Sequence, residues 1–252
     1  MNKILKKFCE ILGYKLLEKN YIKNKQFLFY KSDLNINKII ENLIRGDQIK
    51  NLIQIGANDG KSFEELNILI KKYQIKSLLV EPIKENFELL KKNYEGFKNV
   101  ILENSALSVN KEISFLYKVN PQYYNKYGEF IKAIPSFDRK HLIKHGVSSG
   151  HIIKELVNQI TFLELFQKNK ILNLDLLFVD TEGYDCEIIN NFFSVSTMRP
   201  VIIFEWIHSN HHEFKNIVTK ISNENYFIFP VNHDLICFPK EKNCFLKINK
   251  NE

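Results

Sequence analysis

Between Asn51 and Glu103 short apolar runs alternate with helical patterns, and this alternation restricts the possible folds more than any other feature of the chain. Asn51-Leu52-Ile53-Gln54-Ile55 is apolar and followed by glycine, as expected of a buried strand. Ser62 to Tyr73 sets Phe63, Leu66, Leu69 and Ile70 at helical spacing, with Ser62 as a cap and Glu64 and Glu65 in the first turn. Ser77 to Glu81 reads as a second strand, Pro82 opens a helix through Phe87, Leu89 and Leu90, and Asn99 to Glu103 is a third strand. Strand, helix, strand, helix, strand at this pitch means βαβ units and a parallel sheet.

The rhythm resumes at Asp175. Asp175 to Asp180 is a strand ending in a carboxylate, followed by a helix through Cys186, Ile188, Ile189, Phe192 and Phe193. Pro200 to Glu205 is another strand ending in a carboxylate, and a helix follows near His212–Ser222. Tyr226 to Phe229 and Leu235 to Phe238 are joined by five turn-like residues, Pro230 to Asp234. So short a link permits an antiparallel hairpin and forbids a crossover. The expected architecture is therefore α/β and Rossmann-like. Its sheet is mostly parallel and seven-stranded with an antiparallel C-terminal hairpin, and helices lie on both faces. That combination suits the class I methyltransferase fold better than the fully parallel dinucleotide-binding sheet. Residues 46–252 are expected to form this domain, with an insertion at about 108–171 carrying substrate-recognition elements. Residues 1–45 are too few to fold alone and read as an N-terminal extension packed on the core.

Composition narrows the class of partner. The 252 residues are 44% hydrophobic and 26% charged, ordinary values for a globular domain. The net charge of +7 is spread along the chain instead of gathering in basic stretches interleaved with aromatics, which disfavours nucleic acid. Cys9, Cys186, Cys237 and Cys244 are scattered, with no CxxC pair and no histidine beside them at ligand spacing. A cysteine zinc site or disulfide framework is thus not expected, and a cytoplasmic location is. No stretch has the ~20 apolar residues that span a bilayer. In the N-terminal segment Ile4, Leu5, Phe8, Ile11 and Leu12 are interrupted by Lys6, Lys7 and Glu10, the pattern of an amphipathic helix rather than a signal peptide. A homo-oligomer is compatible with this composition.

Two features point to a cofactor. Gly56-Ala57-Asn58-Asp59-Gly60 lies at a strand-to-helix turn, where glycine lets backbone and ligand approach closely. It differs from GxGxxG, and the Asp59 carboxylate would repel a pyrophosphate, favouring a ligand that carries a positive ammonium group. An ordinary tight turn is the alternative. Glu81 ends the second strand, where folds of this class place an acid against both ribose hydroxyls. Together, turn and acid suggest an adenosyl cofactor.

The blocks IQIGANDG, VEPIKENFELLKKN, NVILENSALS, LDLLFVDTEGYDCEII and RPVIIFEW, in this order from Asn51 to Trp206, resemble those of the FkbM family of methyltransferases. DTEGYD corresponds to the family's Asp-x-Glu-Gly-x-Glu/Asp signature, while Gln54 departs from the Asp or other polar residue common there. The resemblance implies S-adenosyl-L-methionine as cofactor and O-methylation of a sugar hydroxyl, in a nucleotide-activated sugar or a surface (capsular or lipopolysaccharide) glycan. By position it implies that Gly56, Ala57, Asn58, Asp59, Gly60, Ser62, Glu81, Pro82, Asn104, Ser105, Ala106 and Asp180 surround the cofactor. A methyltransferase for another small molecule and a non-catalytic adenosyl-binding partner subunit are the alternatives.

Asp180 and Glu205 end strands at the edge where open α/β sheets bind ligands, with Glu182 and His208 close behind them in sequence. These four are the catalytic candidates. They can form a general-base site, or Asp180, Glu182 and Glu205 can hold Mg²⁺ or Mn²⁺. The duller alternatives are Glu182 as a helix cap, Asp185 as a first-turn acid, and His208, His211 and His212 as a surface cluster. In the insertion, Ser136, Arg139, Tyr123 and Tyr124 are candidate acceptor contacts, with packing of a Tyr-rich loop as the alternative.

Overall fold

A computed structural model describes residues 14–15, 29–30, 35–62, 66–109 and 115–241. The expected N-terminal amphipathic helix, Phe63, Glu64, Glu65 and Ile113, together with Cys9 and Cys244, lie outside the described residues. Tyr14–Lys15 pairs antiparallel with Phe29–Tyr30, and helix α1 follows at Ile36–Arg45, capped by the Asn35 side chain.

The main sheet takes its strands from both parts of the alternating pattern. Strand β1 is Asn51–Ile55, followed by helix α2 (Leu66–Tyr73), β2 (Lys76–Val80), α3 (Lys84–Asn93) and β3 (Val100–Glu103). Helices α4 (Tyr124–Tyr127) and α5 (Arg139–Lys144) lie in the insertion, and α6 (Phe162–Asn169) leads to β4 (Leu176–Val179). Helix α7 (Asp185–Val195), β5 (Val201–Glu205), α8 (His211–Asn223), β6 (Tyr226–Val231) and β7 (Asp234–Pro239) complete the chain as described. The spatial order is β6-β7-β5-β4-β1-β2-β3. β5, β4, β1, β2 and β3 run parallel, while β7 is antiparallel to both β5 and β6. This is the class I methyltransferase-like sheet expected from the short β6–β7 link.

Helices cover both faces, so side chains of either parity along a strand are buried. Ile53, Ile55, Leu78, Val80, Leu177 and Val179 pack on one face against Phe162 and Leu165 of α6 and Phe192 of α7. Leu52, Leu79 and Leu176 point to the other face, against Ile40 and Leu43 of α1 and Leu66 and Ile70 of α2. Two-sided burial explains why the strands are almost continuously apolar.

Residues 115–119 pair antiparallel with 152–156 and enclose a separate small core of Val119, Ile131, Ile134, Leu142 and Val147. Helix α6 falls within the range expected for the insertion but packs on the main sheet, opened by a capping box between Thr161 and Glu164. One helix start differs from expectation by two residues, α3 beginning at Lys84 instead of Pro82, and α7 begins at Asp185, after Tyr184 at its N-terminal cap position.

Candidate active site

β1 and β4 are neighbours whose connections leave in opposite directions, and this opens a cleft beyond their carboxyl ends. A cavity of about 720 Å³, counting its open mouth, occupies the cleft, within the range of small-molecule sites. Its walls come from Gly56 and Asn58 after β1, Glu81 to Ile83 after β2, Ser105 to Leu107 after β3, and Asp180 to Glu182 after β4. The insertion adds Leu116, Ala133, Pro135 and Phe137.

The turn after β1 is held by its own side chains and by the end of β2. Gly56 and Ala57 N–H donate to the Val80 carbonyl (2.9 and 3.0 Å), and Gly60 N–H to that of Ala57 (3.1 Å). Asn58 N–H donates to Glu81 Oε2 (2.9 Å) and Asp59 N–H to Asn58 Oδ1 (2.8 Å). Lys61 and Ser62 N–H both donate to Asp59 Oδ1, at 2.9 and 2.7 Å. Every amide from Gly56 to Ser62 thus has a partner, three of them at the end of β2 and four within the turn, which leaves no row of open amides for a phosphate. Gly56 is dictated by contact: with φ +88°, a Cβ here would sit 1.8 Å from the Asp180 carbonyl oxygen.

The same bonds occupy the Asp59 carboxylate. It closes the turn onto Lys61, Ser62 and the Ser62 hydroxyl, away from the cavity wall. Burial opposes its ionisation, but the hydrogen bonds from Ser62 and Lys61 outweigh that and hold its pKa below the usual carboxylate range. Ala57, Gly60, Ser62 and Asn104 also stand outside the wall, whereas Gly56, Asn58, Glu81, Pro82, Ser105, Ala106 and Asp180 form part of it. Asn104 holds the loop after β2, its Nδ2 donating to the Glu81 carbonyl at 2.9 Å.

Glu81 is buried and accepts from Asn58 N–H and, at 2.8 Å, from Ile83 N–H. The Asn86 side chain is a third hydrogen-bond partner of this carboxylate, which stands on the cavity wall. Burial pushes its pKa up to about 7 against the pull of those bonds. At the other strand ends, burial and then Asp185, Glu182 and Asp234 raise Asp180 well above its ordinary value. Burial, Asp180 and Glu182 likewise push Glu205 up to about 9. A cavity edged by carboxyls that resist ionisation until a cation arrives, with apolar walls at Leu107, Pro135 and Ile188, matches the donor chemistry of a sulfonium-bearing adenosyl ligand.

Glu182 does not cap a helix. At φ +55°, followed by Gly183 at φ +103°, its carboxylate is turned towards imidazoles. Its Oε2 lies 3.1 Å from His141 Nε2 and 3.4 Å from His208 Nε2, and the latter is 3.2 Å from Glu205 Oε2. The turn is organised instead by Asp185, which is buried and accepts from Thr181 N–H, the Thr181 hydroxyl and Gly183 N–H. His211 and His212 are exposed in the first turn of α8. Asp180, Glu182 and Glu205 share one rim, but the donor atoms that converge within 4.8 Å of one another belong to His141, His145, Glu182 and His208. The all-oxygen set expected for Mg²⁺ or Mn²⁺ is therefore not what gathers there.

The four acceptor candidates stand apart from the cavity wall. Tyr123 stacks on His151 with centroids 3.7 Å apart, and the Tyr124 hydroxyl donates to Glu85 at 3.3 Å. Arg139 Nη2 donates to the Ser149 carbonyl at 2.9 Å, and the Ser136 hydroxyl to the Glu182 carbonyl at 3.0 Å. Tyr123 and Arg139 bond within the insertion, and Tyr124 and Ser136 tie it to α3 and to the loop after β4. The aromatic pair at the wall is Phe137 against Tyr184, with centroids 5.0 Å apart. Tyr184 lies inside the DTEGYD block that carried the resemblance, and His141 and His145 form an H-x₃-H pair; sequence reasoning overlooked all three.

Among the described residues no helix is long and apolar enough to cross a membrane. No curated protein matches the chain. It is similar to the O-methyltransferase from Bacillus cereus in complex with SAH (10% identity, 94% of this chain and 97% of that one, TM-score 0.44). It is also similar to a methyltransferase from Geobacter sulfurreducens (10% identity, 94% and 95%, TM-score 0.42). A third similar structure is the ribosomal protein L11 methylase from Lactobacillus delbrueckii subsp. bulgaricus (10% identity, 81% and 78%, TM-score 0.40). The family model described as the methyltransferase FkbM domain matches residues 54–228, well over half of the chain. The chain belongs to the FkbM family of S-adenosylmethionine-dependent methyltransferases.

Proposed function

We propose that this methyltransferase transfers its methyl group to a hydroxyl of a sugar, carried by a nucleotide-activated sugar or by a surface glycan. The observation that carries the reading is that Glu81, Asp180 and Glu182 line one cavity next to the Phe137–Tyr184 aromatic pair, with His208 and Glu205 reached behind Glu182. S-adenosylmethionine, when bound, supplies an electrophilic methyl group on a sulfonium.

The chain's own residues do the rest. Glu81 is the acceptor on the cavity wall for the ribose hydroxyls, and Asp180, on the same wall, offers negative charge to the cationic part of the ligand. A hydroxyl becomes nucleophilic when its proton has a place to go, and the carboxyl and imidazole groups of Glu182, Glu205 and His208 supply one within a single hydrogen-bonded unit. Phe137 and Tyr184 present ring faces and edges of the kind that pack on sugar rings.

A calorimetric titration with S-adenosylmethionine, followed by a mass-detected screen of nucleotide sugars, tests the reading. Asp180→Asn should keep the fold and lower turnover by at least about 100-fold, a typical loss when a positioned acid is removed. Full activity in that variant would remove Asp180 from the mechanism, and methylation of non-sugar hydroxyls alone would remove the sugar.

A further inference from the structure

We propose that His141, His145, Glu182 and His208 form a binding site for one divalent transition-metal ion of borderline softness, Zn²⁺ or its chemical neighbours Co²⁺, Ni²⁺ and Fe²⁺. The four residues come from three segments far apart in sequence. His141 and His145 are four apart at the end of α5, which puts both imidazoles on one side of that turn. Glu182 comes from the left-handed turn after β4, and His208 from the loop after β5. Each offers one donor atom, and all four donors lie within 4.8 Å of one another.

The distances fit a coordination polyhedron. Zinc–nitrogen bonds of about 2.0–2.1 Å place tetrahedral donors about 3.4 Å apart. Glu182 Oε2 is 3.1 Å from His141 Nε2 and 3.4 Å from His208 Nε2, so three of the four donors already lie on such edges. The three rings are mutual neighbours, with centroids 4.5, 4.7 and 5.5 Å apart.

The protein alone does not complete the bonding. His141 is 6% exposed, and both its Nε2 and Glu182 Oε2 are sealed from water without a hydrogen bond of acceptable geometry, although they face each other at 3.1 Å. Buried polar atoms left in this way are costly, and three imidazoles around one carboxylate cannot all be relieved by protonation because the cations would repel one another. A single ion accepts a lone pair from each ring and neutralises the carboxylate. Three nitrogens and one oxygen select zinc-like ions over Mg²⁺, which requires oxygen. Glu182 also belongs to the cavity wall, so the ion would lie beside the acceptor and polarise it. That role rests on the methyltransferase reading; binding of the ion does not.

The test is a Co²⁺ titration of the full chain after treatment with a chelator. One equivalent should bind per chain with the visible ligand-field bands of a nitrogen-coordinated ion, Zn²⁺ should bleach those bands, and millimolar Mg²⁺ should not. His145→Ala and His208→Ala should each weaken Co²⁺ binding at least about 10-fold, as loss of a coordinating group does. His212→Ala, a change at an exposed imidazole on α8, should leave it intact. Circular dichroism of each variant separates a lost ligand from a lost fold. Absence of the bands in a folded wild-type chain overturns the proposal, and so does equal affinity in a folded His145→Ala/His208→Ala double variant. S-adenosylhomocysteine binding measured on the same samples fails or succeeds separately, so loss of the metal site and loss of the methyltransferase reading are distinguishable.

Discussion

A single backbone contact fixes the identity of Gly56. Two demands meet there, a φ of +88° and the carbonyl oxygen of Asp180, which would lie 1.8 Å from any Cβ. Gly146 separates them, because its φ of +82° is similar but nothing lies within 4 Å of a Cβ built on it. Gly146→Ala should therefore cost only the left-handed strain, about 1–2 kcal/mol. Gly56→Ala must also push β1 and β4 apart at the cavity, so its loss of unfolding free energy in urea should exceed that of Gly146→Ala by several kcal/mol, with cofactor binding lost as well. Equal losses would show that the Gly56–Asp180 contact relaxes freely. Asp59 shows that a residue's type and its orientation are separate facts. An acid after a glycine turn suits a cationic ligand, yet positive φ at Asn58 and the free amides of Lys61 and Ser62 turn this carboxylate back into its own loop.

Elements with two buried faces were legible in the sequence, and those with one ambiguous face were not. β1, β2, β4 and β5 are apolar runs because helices cover both sides of the sheet, so pattern alone located them within a residue or two. The hairpin β6–β7 was legible because a short link leaves no room for a crossover. The insertion resisted for a physical reason: Tyr, Asn and Arg side chains that can grip a sugar can equally stack and cap within a loop, as Tyr123 does on His151. The H-x₃-H pair carried a signal that could have been used, but its partners Glu182 and His208 lie more than thirty residues away and meet it only in the folded chain. Helix α6 shows where insertion ends and core begins. Phe162 is fully buried against Phe166 and Phe192, with ring centroids 5.4 and 5.5 Å apart. Phe162→Ala should remove about 3–5 kcal/mol of unfolding free energy, as deletion of a buried ring does. Phe130→Ala, at an exposed ring of the insertion, should cost under about 0.5 kcal/mol. Similar losses at the two positions would mean that α6 belongs with the insertion and not with the sheet.

Across the whole molecule, a chain of net charge +7 gathers its perturbed acids at one edge of the sheet. Burial pushes Glu81 and Asp185 up to about 7 and Asp234 up to about 6. In the unfolded chain these groups release their protons near their ordinary values, about pH 4. Between those limits the folded chain holds more protons than the unfolded one, so unfolding free energy must fall as pH rises from about 4 to about 7, and Glu205, pushed up to about 9, carries the fall further. Glu81 alone accounts for a fall on the order of 3 kcal/mol. Asp59, held below its ordinary value, acts in the opposite sense, and its contribution is lost only in more acidic solution. Cofactor affinity should run against stability, because a ribose diol needs the ionised Glu81 that the empty fold resists. The dissociation constant of S-adenosylhomocysteine should therefore tighten as pH rises through about 7, and Glu81→Gln should flatten that part of the profile while making the fold more stable at pH 8. Denaturant titrations at pH 5.5 and 7.5, paired with calorimetry at the same two values, test both signs together. A wild type more stable at pH 7.5, or a Glu81→Gln profile as steep as the wild type's, would mean that Glu81 does not set the charge of this cavity. The opposed signs follow from one arrangement: acids gathered at the carboxyl edge of a parallel sheet destabilise the protein until a cationic ligand arrives to pair with them.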